Sequence, residues 1–125
     1  MTLETSTPVA FLYAGDRERA LNWYRDTLGF TVKSSDAFGD FIALGAMLVR
    51  MTVLPGYTAG AHPALGWNVE DIVASVTALG EKGVAFKIYE GMGQDALGIW
   101  TAPDGAAKVA FFNDSEGNLL SLAQS

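Results

Sequence analysis

The hydrophobic and polar positions of the first half change from a strand-like to a helix-like pattern. Pro8 to Ala14 is mostly apolar, which predicts a buried strand. Asp16 offers an N-cap, and the segment from Arg17 to Leu28 is predicted to be a helix that Gly29 ends. Five positions of this helix, mostly apolar, fall on one face at helical spacing. They are Ala20, Trp23, Tyr24, Thr27 and Leu28.

Three short segments after this helix have the composition of strands. They are Thr31 to Ser35, Phe38 to Leu44 and Ala46 to Leu54. Gly45 provides a tight turn between the second and the third. The first half is therefore predicted to have the order β-α-β-β-β.

The same order begins again after a turn-rich connection. Ala64 to Val69 is the predicted strand, Asp71 the cap and Ile72 to Lys82 the helix. The two caps lie 71 − 16 = 55 positions apart, and the strands before them align at the same offset. This internal similarity indicates a duplicated unit. The apolar stripe of the second helix is expected to contain Ile72, Val73, Val76 and Leu79.

The rest of the second half continues with strands around a glycine-rich segment. Val84 to Ile88 is predicted as a strand, and the segment from Glu90 to Gly98 leads into Ile99 to Thr101. Residues 108–113 and 118–123 are predicted to form the closing hairpin.

The predicted fold class is α+β, with two tandem βαβββ modules at about residues 8–54 and 64–124 in a single domain, 1–125. Each sheet is expected to pack one face under its helix. The other faces would line a cleft in a curved mixed sheet.

The amino-acid composition excludes cysteine chemistry and disfavours some classes of binding partner. The 125 residues contain no cysteine, which excludes thiolate catalysis and thiolate metal sites. Eight basic and 14 acidic residues give a net charge of -6, so nucleic acid and anionic membranes are not expected partners. The beginning of the sequence lacks the pattern of a signal peptide, so we expect a cytoplasmic protein.

Two motifs resemble those of the vicinal oxygen chelate superfamily, which includes glyoxalase I, bleomycin-resistance proteins and extradiol dioxygenases. The residues that carry the resemblance are Asp16, Ala20, Trp23, Tyr24, Leu28, Gly29, Phe30 and the stretch Asp114 to Leu122. Within the superfamily, Gly91 to Trp100 and Leu119 to Leu122 resemble a group of short bacterial proteins. The resemblance implies the duplicated fold and a homodimer.

The resemblance also implies a metal site in the enzymes, with ligands near the start and on the last strand of each half. The corresponding positions are Val9, Arg50, Ala64 and Ser121. None offers a carboxylate or an imidazole, so neither a metal nor another cofactor is expected, and metal-dependent glyoxalase or dioxygenase activity is disfavoured. His62 would be a ligand if the register were shifted; otherwise it is a histidine in an exposed connection.

Strand alternation from these positions predicts which other side chains face the cleft. The expected ligand-binding residues are Phe11, Tyr13, Leu48, Arg50, His62, Asn68, Trp100 and Ser121. His62 joins them only if its strand reaches that far. Arg50 has two open interpretations, a clamp for a ligand carboxylate or carbonyl, and an ion pair with a buried carboxylate such as Asp40. Trp100 could cover a ligand, or it could equally fill a gap or an interface.

The first functional hypothesis is a metal-independent small-molecule binding protein that holds a small, partly aromatic ligand in an apolar cleft. The second is a metal-independent isomerase or lyase acting on a small carbonyl compound through Arg50, Tyr13, and His62 or Asn68. A partner-binding module with a filled cleft is a third.

Overall fold

The computed structural model describes residues 2–125, which divide into two compact units, one ending at Ala59 and the other running from Gly60 to Ser125. In the first unit, a 3-10 turn at Leu3–Thr5 precedes β1 (Val9–Ala14), α1 (Arg17–Asp26), β2 (Thr31–Ser35), β3 (Gly39–Leu44) and β4 (Met47–Val53). The second unit contains β5 (Leu65–Asn68), α2 (Ile72–Glu81), β6 (Trp100–Thr101), β7 (Lys108–Asn113) and β8 (Leu119–Gln124).

The two units have the same sheet topology. The strand order is β1-β4-β3-β2 in the first sheet and β5-β8-β7-β6 in the second. In each sheet the first strand runs parallel to the last, and the other pairs are antiparallel. The predicted α+β fold with two tandem βαβββ modules is confirmed.

Both helices begin at the predicted caps. The Asp16 carboxylate accepts a hydrogen bond from the Arg19 N–H at 3.0 Å, and the Asp71 carboxylate accepts one from the Ala74 N–H at 3.1 Å. These bonds satisfy donors that have no partner within the first helical turn. Each helix has ten residues, and no helix in residues 2–125 has the length and apolarity needed to cross a membrane.

One face of each sheet carries the buried core of its unit. In the first unit the buried residues include Leu12, Tyr24, Ile42, Val49 and Met51, and in the second Ile72, Val76, Phe112, Leu120 and Leu122. The prediction that Val73 belongs to the buried stripe of α2 is wrong, since its side chain is exposed. The stripe follows positions 72, 76 and 79, and Val73 lies about 100° around the helix from Ile72.

The predicted strand from Val84 to Ile88 is also wrong. In residues 2–125 this segment pairs with β7 only through an isolated bridge between Phe86 and Phe112, beside which the Lys87 N–H donates to the Phe111 carbonyl at 2.8 Å. The side chain of Gln94 forms hydrogen bonds with two backbone groups near this bridge. Its amide nitrogen donates to the Lys87 carbonyl, and its oxygen accepts from the Tyr89 N–H. Backbone groups that bond to a side chain cannot extend a β-ladder.

Candidate functional site

The face of the first sheet opposite its core collects four of the predicted site residues. Strand pairing places Phe11 beside Arg50, and Val9 beside Leu48. Phe41 on β3 pairs with Arg50 from the other side, and Tyr13 shares the face with Phe11 two residues along β1. The face that carries Phe11, Tyr13, Phe41, Leu48 and Arg50 is called the aromatic face below.

Arg50 occupies the middle of the aromatic face and is nearly enclosed, with 12% of its side chain exposed. Its guanidinium carbon lies 4.8 Å from the centroid of the Phe41 ring. Nη2 donates to Asp36 Oδ1 at 2.8 Å, whereas the buried Nη1 has no hydrogen-bond partner within residues 2–125. A buried donor left without an acceptor costs about 1–3 kcal/mol. Nη1 of Arg50 can therefore donate a hydrogen bond to an additional acceptor.

Asp36 is a residue of this site that the sequence did not predict. Its Oδ1 atom accepts hydrogen bonds from Arg50 and from the backbone N–H groups of Phe38 (2.8 Å) and Gly39 (3.1 Å). The Arg50 hydrogen bond, followed by that of Phe38, lowers the pKa of Asp36 from 3.8 to about 2. The signal that could have found it is an aspartate two residues before a strand, a position where its carboxylate can accept from the following backbone.

The prediction that Asp40 could pair with Arg50 is wrong. Asp40 neighbours Phe41 on β3, so its side chain lies on the opposite face of the sheet, where it is 0% exposed. Its carboxylate accepts from Arg17 Nε at 3.0 Å and Arg17 Nη2 at 2.9 Å. Arg17 Nη2 also donates to the carbonyl oxygens of Asp36 and Gly39. The β2–β3 loop is thus held by one arginine on each face of the sheet.

Acid titration should report the ion pair of Asp36 and Arg50. Because the folded-state pKa of Asp36 is below its ordinary value, its ionised form stabilises the fold above pH 3.8, and this contribution disappears as the pH falls toward about 2. We expect Asp36→Asn to lose stability at neutral pH and to approach the wild type in this acidic range. Chemical denaturation at several pH values measures the difference, and Glu4→Gln, at an exposed residue, is the control. A pH-independent deficit would contradict the assignment.

One face of the second sheet carries three other predicted residues, namely Asn68, Trp100 and Ser121. Ser121 on β8 lies in a row between Gly66 on β5 and Phe111 on β7. The next row on the same face joins Asn68 to Trp100 through the two central strands. Trp100 is therefore a strand residue, and it shares one face of the second sheet with Asn68 and Ser121.

His62 is not brought to this face. Strand β5 begins only at Leu65, so the condition under which His62 would share its face is not met. His62 lies exposed in the connection before Pro63, as the alternative interpretation expected.

The residues at the metal positions of the enzymes do not fit a metal. Val9 and Ala64 have no donor atoms in their side chains, and the Arg50 guanidinium carries only N–H donors. Ser121 alone would leave a divalent ion without carboxylate or imidazole ligands. Residues 2–125 also contain no group of three or more His, Asp and Glu side chains placed to hold an ion.

Solved structures of similar fold come from several bacteria. A glyoxalase family protein from Enterococcus faecalis has a TM-score of 0.76 at 18% identity, over 98% of this chain and 99% of that one. A glyoxalase/bleomycin resistance protein/dioxygenase from Alicyclobacillus acidocaldarius has a TM-score of 0.72 at 14% identity, over 99% and 94%. Lactoylglutathione lyase from Agrobacterium tumefaciens has a TM-score of 0.68 at 14% identity, over 97% and 94%. At these identities the likeness shows the fold alone.

Sequence comparison identifies the family. Among curated proteins no sequence matches the chain. The family model described as Glyoxalase/Bleomycin resistance protein/Dioxygenase superfamily matches residues 7–122. This range contains both helices, the two motifs that carry the resemblance and all strands except the last two residues of β8. The chain therefore belongs to the Glyoxalase/Bleomycin resistance protein/Dioxygenase superfamily.

Proposed function

We propose that the protein binds a small, partly aromatic molecule without a metal and holds it on the aromatic face of the first sheet. The observation that carries this proposal is the buried Nη1 of Arg50, which has no acceptor within residues 2–125. A ligand oxygen at Nη1 would make a charge-assisted hydrogen bond, which is stronger than one between neutral groups. Phe11, the strand neighbour of Arg50, is 64% exposed, so it offers a ring surface beside the guanidinium.

The surroundings of Arg50 support an aromatic ligand. Phe11 and Tyr13 are exposed on β1, and the ring of Tyr57 lies 5.7 Å from that of Tyr13 in a tilted arrangement. Aromatic rings supply a large apolar contact area and favour tilted or offset packing against another ring. Apolar area with few polar groups is the usual composition of a small-molecule site.

The lowered pKa of Asp36 favours a binding protein over the alternative, an isomerase or lyase acting on a small carbonyl compound. Such an enzyme needs a general base whose pKa lies near the working pH. Asp36 is the carboxylate bound to Arg50, and its pKa of about 2 makes it a weak base. His62, the single histidine, lies in the exposed connection before β5 and not on the aromatic face.

An NMR screen of neutral and charged aromatic fragments tests the proposal. We expect fragments with an oxygen acceptor to shift the amide resonances of β1 and β4. Arg50→Gln should raise their dissociation constants about ten-fold or more, because it removes a hydrogen bond to a charged group. Arg25→Gln is the matched control, since Arg25 pairs with Asp26 on α1 and both are solvent-exposed.

Two outcomes would count against the proposal. If no fragment shifts the resonances of the aromatic face, or if Arg50→Gln and Arg25→Gln bind equally well, the face is not the ligand site. Conversion of a bound carbonyl compound into a new product, lost in Arg50→Gln, would support the isomerase or lyase instead.

A further inference from the structure

We propose that Arg50 selects a neutral aromatic carbonyl compound, such as an aryl ketone or amide, in preference to an aromatic carboxylate. This inference rests on the proposed function and specifies the chemical class of its ligand. It follows from the charge balance around Arg50, from the enclosure of its free donor and from the rings beside it.

The guanidinium already has a counter-ion. Arg50 Nη2 and Asp36 Oδ1 are 2.8 Å apart, so the pair is electrically neutral before a ligand arrives. A carboxylate placed at Nη1 would be attracted by Arg50 and repelled by Asp36, which binds the other terminal nitrogen of the same guanidinium. The repulsion from Asp36 lowers the net Coulomb attraction below that of an unpaired arginine. The net charge of -6 on the chain adds no attraction for an anion.

Desolvation then separates the two classes of ligand. A carboxylate brought against a group that is 12% exposed loses much of its hydration, and the neutral ion pair returns little Coulomb energy. A ketone or amide oxygen has far less hydration to lose and still satisfies the donor. Its hydrogen bond to Nη1 is charge-assisted on the donor side.

Arg50 offers one unpaired donor atom to a ligand. Nη1 is buried without an acceptor within residues 2–125, and the guanidinium carbon lies 4.8 Å from the centroid of the Phe41 ring. A single carbonyl oxygen is enough to satisfy this donor. A ring attached to the carbonyl would find the exposed ring of Phe11, the strand neighbour of Arg50, on the same face.

Acetophenone and benzoate form a matched pair of probes, because they share a phenyl ring and have nearly the same shape. We expect acetophenone to bind wild-type protein more tightly than benzoate at neutral pH, with shifts in β1 and β4 resonances. Asp36→Asn should raise the affinity for benzoate about ten-fold, since it removes a like charge a few ångströms from the ligand. The gain for benzoate should exceed any change for acetophenone, and asparagine keeps the oxygen that accepts from Phe38 and Gly39.

Asp26→Asn is the control variant. It changes the net charge by the same amount at an exposed residue that pairs with Arg25 on α1. Tighter binding of benzoate than of acetophenone to the wild type would overturn the inference. So would an equal gain for benzoate in Asp36→Asn and Asp26→Asn, which would reflect only net charge.

The failure of this inference can be separated from that of the proposed function. If neither probe shifts the aromatic face up to its solubility limit, the inference is wrong. The proposed function fails only if the wider set of aromatic fragments also leaves that face unchanged.

Discussion

Gly39→Ala is expected to destabilise the fold by about 3 kcal/mol, the upper end of the range for inserting one carbon into a packed interior. A β-carbon at Gly39 would overlap the backbone carbonyl oxygen of Met51 and lie 3.1 Å from the Cα of Thr52. These atoms belong to the β4 backbone that pairs with Gly39, so they cannot move away as a flexible side chain could. The strand pair must therefore separate at this point.

Urea denaturation of Gly39→Ala beside Gly80→Ala checks this expectation. Gly80 lies in α2, where an added β-carbon meets no atom within 4 Å. Alanine is favoured over glycine in helices, so Gly80→Ala should be neutral or stabilise the fold by up to about 1 kcal/mol. Equal urea midpoints for the two variants would contradict the close approach of the β4 backbone to Gly39.

Arg17→Met is expected to be the second strongly destabilising change. It leaves Asp40 buried with no cationic partner, because the Asp40 carboxylate is 0% exposed and both of its oxygens accept from Arg17. A buried carboxylate that loses its ion-pair partner costs about 3–5 kcal/mol in proteins generally. The same substitution removes the hydrogen bonds to the carbonyl oxygens of Asp36 and Gly39.

The double variant Arg17→Met/Asp40→Leu distinguishes loss of the ion pair from loss of packing. Replacing both members of a buried pair by apolar side chains is often nearly neutral, so the double variant should recover most of the stability lost in Arg17→Met. Thermal unfolding of both variants and of Arg25→Met provides the measurement. Arg25→Met is the control, since Arg25 pairs with the exposed Asp26. No recovery in the double variant would mean that the ion pair is not the source of the loss.

These variants also bear on the candidate site. The β2–β3 loop carries Asp36, and Arg17 and Arg50 bind it from opposite faces of the sheet. We therefore expect Arg17→Met to weaken the binding of aromatic ligands as well as the fold. Ligand identity, the homodimer and the cytoplasmic location stay predictions.

The sequence by itself determined the fold class, because the information needed for it is local. Helix caps at Asp16 and Asp71 and their offset of 55 positions can be read without tertiary contacts. Strand alternation, counted from the metal positions that the resemblance implies, predicted that Phe11 and Arg50 face the same cleft, and the structure places them on one face. These patterns depend on backbone geometry that each segment carries with it.

Only the tertiary structure decided which charged groups form ion pairs and which backbone groups bond to a side chain and not to a neighbouring strand. Asp36 rather than Asp40 pairs with Arg50, because Asp36 in the β2–β3 loop lies within hydrogen-bond distance of the guanidinium and Asp40 points to the other face. In the predicted strand at residues 84–88, the Lys87 carbonyl accepts from the side chain of Gln94, several positions farther along the chain. Long side chains reach partners that strand and helix periodicity does not encode, so these pairings required the folded chain.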